Sequence, residues 1–212
     1  MSTKKSSNTT KTIANVVKQA RLKYEELMES EYISVRVRID GKETRGQAKD
    51  NESIYSLQDK NSKLMTCTLD IDVNRGSYVE MQEDSYDKEY KNKGIVTSLP
   101  NKTPVDNYFT VLFFNTTITR HRKMPVYNME GDVIDDNPLI TDTIDAYVER
   151  VSTTERRYDA GIEKNSVNKI VTLKKWDIQK NDLLYIGTNC YRVTDIEELE
   201  EDYFSAYMTY YR

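Results

Sequence analysis

One histidine, one tryptophan, two cysteines and seven glycines are all that 212 residues hold of those types. Each scarcity removes a class of function. A Ser-His-Asp or Cys-His catalytic arrangement has only His121 to draw on. Cys67 and Cys190 lie far apart in strand-like runs, without the close spacing of a metal site. That argues against a disulfide framework or a zinc centre and for two reduced, packed thiols. The scattered glycines form no loop to cradle phosphate. No stretch approaches the ~20 apolar residues that span a bilayer, and the opening MSTKKSSNTTKT has no apolar core for a signal peptide. A net charge of −4 argues against a protein that grips nucleic acid by neutralising phosphates. The expectation is a soluble intracellular product with no membrane partner, no cofactor and no enzymatic activity.

Tyrosine, in contrast, is plentiful: sixteen against four phenylalanines. A large apolar ring with a polar tip suits half-buried sheets and subunit interfaces. Residues 1–10 read as a polar arm. From Thr10, a candidate cap, to about Ser30, Ile13, Val16, Val17, Ala20, Tyr24, Leu27 and Met28 recur at helical spacing. Such a helix docks either on its own domain or on a neighbouring subunit, and the pattern leaves both open. Nearly everything after it alternates as β-structure. Ile33–Ile39 is a half-buried strand ending at the turn signal Asp40-Gly41. The stretch from Gly41 to Lys63 reads as a polar loop with a weak strand near Ser53–Leu57. Leu64–Val73 reads as a strand with Asp70 and Asp72 on its polar face, a pair that either binds a cation or is the wet side of the sheet. Asn107–Arg120 is apolar on both faces through Phe114, a strand central in a sandwich or covered by a partner.

The segment DVNRGSYVEM (Asp72–Met81) is echoed by DIQKNDLLYI (Asp177–Ile186). Asp72 matches Asp177, Val73 matches Ile178, Arg75 matches Lys180, and Gly76 matches Asn181 where a positive φ is cheapest. Val96-Thr97 and Val193-Thr194 follow, then Tyr108-Phe109 and Tyr203-Phe204. The expected fold is therefore mainly β: a small barrel or sandwich in two tandem related units, with one N-terminal amphipathic helix. The expected boundaries are 1–30 for arm and helix, 31–127 for the first β-unit, 128–143 for a linker and 144–212 for the second β-unit.

Thr119–Lys123 concentrates Arg120, His121, Arg122 and Lys123. With Phe113, Phe114 and Tyr127 nearby, this basic patch reads either as a solvated loop or as a single-strand surface of cations and stacking rings. The runs EDSYDKE and EELEED read as solvated acidic loops.

Lys174–Tyr210, with its basic turn, ND, apolar strand, tight turn and Y-R-V-T-D-I, resembles the C-terminal part of head–tail connector proteins of tailed bacteriophages. RGSYVEM and KGIVTS, within Leu64–Asn115, form a looser version. The resemblance implies a structural virion protein, assembled in the host cytoplasm, whose self-associated ring lies in the phage neck. A portal or adaptor would sit above it, a tail protein below, and double-stranded DNA would pass through without sequence-specific binding. Ile13, Val16, Val17, Tyr24, Phe109, Phe113, Tyr207 and Tyr210 are the expected subunit interface. Glu43, Asp50 and Glu52, with Glu83, Asp84 and Asp87, are expected on loops facing the channel, where acidic groups repel passing phosphates. The alternatives are another tail or baseplate component, or a stand-alone barrel that binds nucleic acid or a peptide.

Overall fold

A computed structural model describes residues 4–50, 61–123, 126–135, 139–153, 165–197 and 202–211. The helix α1 spans Lys4–Met28. It begins before Thr10, which lies inside it and is not its cap. Once a first turn has formed, each further residue adds a hydrogen bond, so polar Lys, Ser and Thr extend a helix that periodicity alone starts later.

The chain divides into two units, 1–113 and 114–212. The first holds β1 (Val35–Ile39), β2 (Lys42–Asp50), β3 (Ser62–Cys67), β4 (Tyr78–Met81), β5 (Asn92–Val96), β6 (Asn101–Lys102) and β7 (Asn107–Phe113). Six of these run β3-β2-β1-β4-β5-β7, and β3 pairs with β7 to close a barrel, with β6 added beside β7. The second unit holds β8 (Thr116–Lys123), β9 (Val126–Tyr127), β10 (Val133–Asp135), β11 (Leu139–Arg150), β12 (Asn168–Thr172), β13 (Leu183–Ile186), β14 (Asn189–Ile196) and β15 (Phe204–Tyr210). Here β11-β12-β15-β14-β13-β8 close a second barrel. The chain is thus mainly β, two six-stranded barrels with one N-terminal helix, as the alternating strands predict. Alternation fills each interior. Val37, Ile39, Met65, Val79, Phe109 and Val111 pack the first, and Ile118, Ile144, Ile170, Leu184, Val193 and Met208 the second.

The boundary between units needs correction. The run Asn107–Arg120 is two strands, not one, broken at Phe114-Asn115. Asn115 ends the break by acting as a strand partner, its amide donating to Val148 O at 2.8 Å and its Oδ1 accepting from Val148 N at 2.9 Å. Because β8 pairs with β11 and β13, Thr116–Lys123 is the first strand of the second barrel. It does not end the first unit at residue 127. The expected linker 128–143 contains β10 and the start of β11. One further correction concerns the polar segment after the Asp40-Gly41 turn. Lys42–Asp50 is strand β2, in register with β1 through the Asp40-Gly41 turn, where both residues have positive φ (48° and 83°). The strand expected near Ser53–Leu57 lies outside the described residues.

The duplication extends to register. Numbering each barrel's strands in chain order, both have the neighbours 1-2, 2-3, 3-6, 6-5, 5-4 and 4-1. Gly76 and Asn181 both have positive φ, 84° and 73°. Gly76 N donates to Val96 O at 2.8 Å, and Asn181 N to Val193 O at 2.9 Å. Val96 N returns to Ser77 O and Val193 N to Asp182 O, each at 3.0 Å. From Val96↔Val111 and Val193↔Met208 the last strands align Phe109 with Ala206. The echo of Tyr108-Phe109 in Tyr203-Phe204 is therefore two residues out of register. A shift of two keeps every side chain on its face, so alternation cannot detect it.

Candidate functional site

The expected basic patch is a structural knot. It lies on β8, not on a loop. Arg120 is buried and pairs with Asp142 while donating to the carbonyls of Trp176 and Asp177. Arg122 holds Asp182 with two hydrogen bonds of 2.7 Å, Nε to Oδ1 and Nη2 to Oδ2, and reaches Asp177 Oδ2 at 3.4 Å. Its guanidinium pKa is raised above the ordinary value, first by the hydrogen bond to Asp182. His121 stacks near Tyr185, ring centroids 4.5 Å apart. Cations neutralised in this way are not a phosphate-binding surface. Nor are the proposed stacking rings available as a set: Phe113 is buried in the first barrel and Phe114 is only half-exposed. The placement of Lys123's side chain and of Tyr127's lies outside the described residues.

Asp182 is only 3% exposed. It occupies the position of Ser77 in the first barrel. The Ser77 hydroxyl accepts from Asn74 N at 3.2 Å, and the Asp182 carboxylate accepts from Gln179 N at 2.8 Å. The same turn is closed by a neutral group in one barrel and by a charge in the other. A buried charge requires a partner, and Arg122 supplies it. Asp70 and Asp72 do not share a strand face, because β3 ends at Cys67. Asp70 takes the Thr68 hydroxyl, and Asp72 binds Lys102 at 2.8 Å, which holds its carboxyl below the usual range.

The expected interface residues divide sharply. Phe109, Phe113 and Tyr207 are buried within this chain, so they are core and unavailable to a second subunit. Phe109 and Phe113 face into the first barrel, whereas Tyr207 packs with Val151 apart from the second core. Val17 and Tyr24 are half-buried. Burial pushes the Tyr24 hydroxyl up. Ile13, Val16 and Tyr210 are exposed, at 59%, 63% and 55%. The last turn of α1 is fixed to the barrel: Met28 is buried, and Ser34 Oγ donates to Met28 O. Farther back, Ile13 and Val16 are uncovered.

Of the expected channel-facing groups, Glu43 and Asp50 lie on β2 and Glu52 lies outside the described residues. Glu43 joins Arg38 at 3.0 Å and the Tyr90 hydroxyl at 3.0 Å, with Arg38 over the Tyr90 ring at 4.4 Å. Asp50 pairs with Lys63 at 3.3 Å. Glu83, Asp84 and Asp87 lie on the loop between β4 and β5. Glu83 and Asp84 are exposed, and Asp87 is tied to Lys91 at 3.1 Å. A cleft of about 550 Å³ lies beside the end of α1, lined by charges of both signs, among them Glu25, Glu29, Arg36, Arg45 and Asp70. Among the described residues no cluster is placed to hold a metal ion, and no helix is long and apolar enough to cross a membrane. Both cysteines are free. Burial, the largest effect, pushes the Cys67 thiol up to about 12, which keeps it protonated and inert.

Sequence reasoning missed one element. Ile39↔Lys42 encloses two residues in the first barrel, whereas the equivalent pair Arg120↔Asp142 encloses residues 121–141, 21 residues. The strands β8 and β11 run on past the barrel, and β9 and β10 pair beyond them around Asn128–Asp132. Asn128 Oδ1 accepts from Glu130 N and Asp132 N at 2.9 and 2.8 Å, and Gly131 turns the chain with φ 89°. Matching the two halves strand by strand reveals this insertion, because only one half contains it.

No known family model matches the chain, and no curated protein is similar to it.

One ion pair gives the second barrel a pH signature. Glu197, beyond β14, pairs with Lys169 on β12 at 2.9 Å. Burial raises its carboxyl pKa, but its polar neighbours, the Lys169 ammonium foremost, outweigh that and leave it lowered. A lowered folded value means the stabilisation is present above the unfolded value and lost as pH falls through the folded one. Glu197→Gln should therefore flatten the acid limb of the stability–pH curve between roughly pH 5 and pH 3, measured by urea melts. Parallel curves for the two proteins would refute this assignment.

Proposed function

We propose that this chain is a structural virion protein that assembles with copies of itself into a ring in the neck of a tailed bacteriophage, joining head to tail around the DNA channel. The observation that carries this reading is the position of the resembling motif. It forms the closing strands β13, β14 and β15 of the second barrel, and its looser version forms the corresponding strands β4, β5 and β7 of the first. Closing six strands into a barrel removes the edges of those strands. Specific contacts then come from elements outside the barrels: a helix with Ile13 and Val16 exposed and a β-arm. The interior of each barrel is packed with buried apolar side chains. In this reading the loop carrying Glu83 and Asp84 faces the channel, where carboxylates keep DNA from adhering.

The test is the mass of the purified protein in solution, together with its presence in purified particles. A closed oligomer that co-purifies with necks is expected, and it should show no salt-sensitive binding to duplex DNA. A monomer at every concentration, absent from particles, would overturn the proposal.

A further inference from the structure

The charges of α1 run against its own dipole. Aligned peptide dipoles favour carboxylates at a helix N-terminus and cations at its C-terminus. In α1 the first turn holds Lys4 and Lys5 and no carboxylate, and the last turn holds Glu25 and Glu26 and no cation. From Lys4 to Lys23 the sequence carries six cations and no carboxylate; Glu25, Glu26, Glu29 and Glu31 then follow with no cation among them. A helix charged in this sense gains when an acidic surface meets its first turn.

Such a surface lies where α1 ends. A groove of about 320 Å³, between the turn after α1 and the loop joining β4 to β5, is lined by Ile33, Val35, Tyr32 and Tyr86. Glu31, Glu83 and Asp84 line it as well, and no cation is among its described lining residues. Tyr32 is 91% and Tyr86 73% exposed, open rings that an ammonium group can approach face-on. Asp84 Oδ1 accepts from Tyr86 N and Asp87 N at 2.8 and 3.0 Å, which fixes the loop backbone that carries Tyr86. Lys91 stands 3.6 Å from Glu83 and Arg45 3.9 Å from Glu31, but both carboxylates are more than half exposed, and surface pairs of this kind contribute little.

We propose that the lysine-bearing first turn of α1 in one chain docks in the Tyr32–Tyr86 groove of a second copy. The two surfaces carry opposite charge, and the groove adds two rings suited to a cation. The occupant is a second copy because 25 helical residues extend about 37 Å, which holds the Lys4 end of a chain away from the groove beside its own Met28. The contact is heterologous, helix end to groove, so repetition produces a ring when the rotation closes. It names the joint of the ring proposed above and rests on that reading; the loop carrying Glu83 and Asp84 then meets the channel at a junction between copies. A helix end in a groove is small beside a standard interface, so a single joint is weak and a closed ring gains from having no unsatisfied end.

The experiment uses the full chain as wild type, K4E/K5E, E31K/E83K and the combination of the two. Sedimentation velocity across a concentration series gives the oligomer, and far-UV circular dichroism reports folding. Each reversal alone should weaken assembly by about tenfold or more, since like charges then face each other across the joint. K4E/K5E places carboxylates where the helix dipole favours them, so helicity should hold while assembly falls. The combined chain should regain assembly, and added salt should weaken the wild type. An oligomer insensitive to both reversals, or one that the combination does not restore, would overturn the joint and leave the ring standing. Absence of any oligomer would overturn both. Duplex DNA bound by the wild type, lost in K4E/K5E and unaffected by E31K/E83K, would also overturn the joint and assign the helix to nucleic acid.

Discussion

Asp182→Ala should lower the melting temperature of the second barrel more than any other single polar substitution described above. The carboxylate is nearly inaccessible, receives both 2.7 Å bonds from Arg122, and caps the turn through Gln179 N. Truncation leaves a largely buried guanidinium facing a cavity, with Asp177 as its remaining carboxylate. Breaking a buried pair from one side costs about 3–5 kcal/mol, which lowers Tm by more than about 10 °C in a unit of this size. Trp176 is the only tryptophan and packs against the second core, so its fluorescence reports the transition. Two controls separate charge from turn geometry. Ser77→Ala, the same position in the first barrel, removes a neutral acceptor and should cost only about 1 kcal/mol. Removing the cation as well, in Asp182→Ala/Arg122→Met, should recover part of the loss, because no unpaired charge remains. Equal effects for Asp182→Ala and Ser77→Ala would show that the ion pair contributes nothing beyond the turn.

Phe109→Ala should do comparable damage to the other barrel. Phe109 is 1% exposed and packs among Met65, Val111 and their neighbours. Removing a buried phenyl ring typically costs about 3–5 kcal/mol, the range reflecting how far the walls collapse. Ala206 stands at this position in the second barrel, so the same architecture tolerates a small residue there when the remaining side chains are chosen for it. The two cores are separate clusters. Accordingly, the loss should appear as an early transition in circular dichroism, while the Trp176 fluorescence midpoint stays in place. A matching shift in the fluorescence would mean that the two barrels unfold as one unit.

Much of this architecture is written in short sequence signals. The alternation of Val35–Ile39 predicts which side faces the core, and Asp40-Gly41 predicts the turn that follows. The echo of Asp72–Met81 in Asp177–Ile186 locates the tight turn of both barrels and the two positions of positive φ. These are local properties. A turn needs residues that tolerate its dihedrals, and a half-buried strand needs period two, so both leave marks within ten residues.

Other features depend on partners far along the chain. Nothing within Asn107–Arg120 says that its first half pairs with β3 and its second half with β11, yet that choice sets the boundary between the units. Arg120 and Arg122 look like an exposed basic patch until Asp142, Asp177 and Asp182 close around them. Phe109 and Phe113 look like interface rings until the barrel closes over them. By itself the sequence determined the strand periodicity, the turns, the helix and the duplication, because each is set by neighbours in the chain. The tertiary structure alone decided which charges are neutralised, which aromatic rings are covered and which segment protrudes, because burial and pairing depend on what long-range contacts bring against a face.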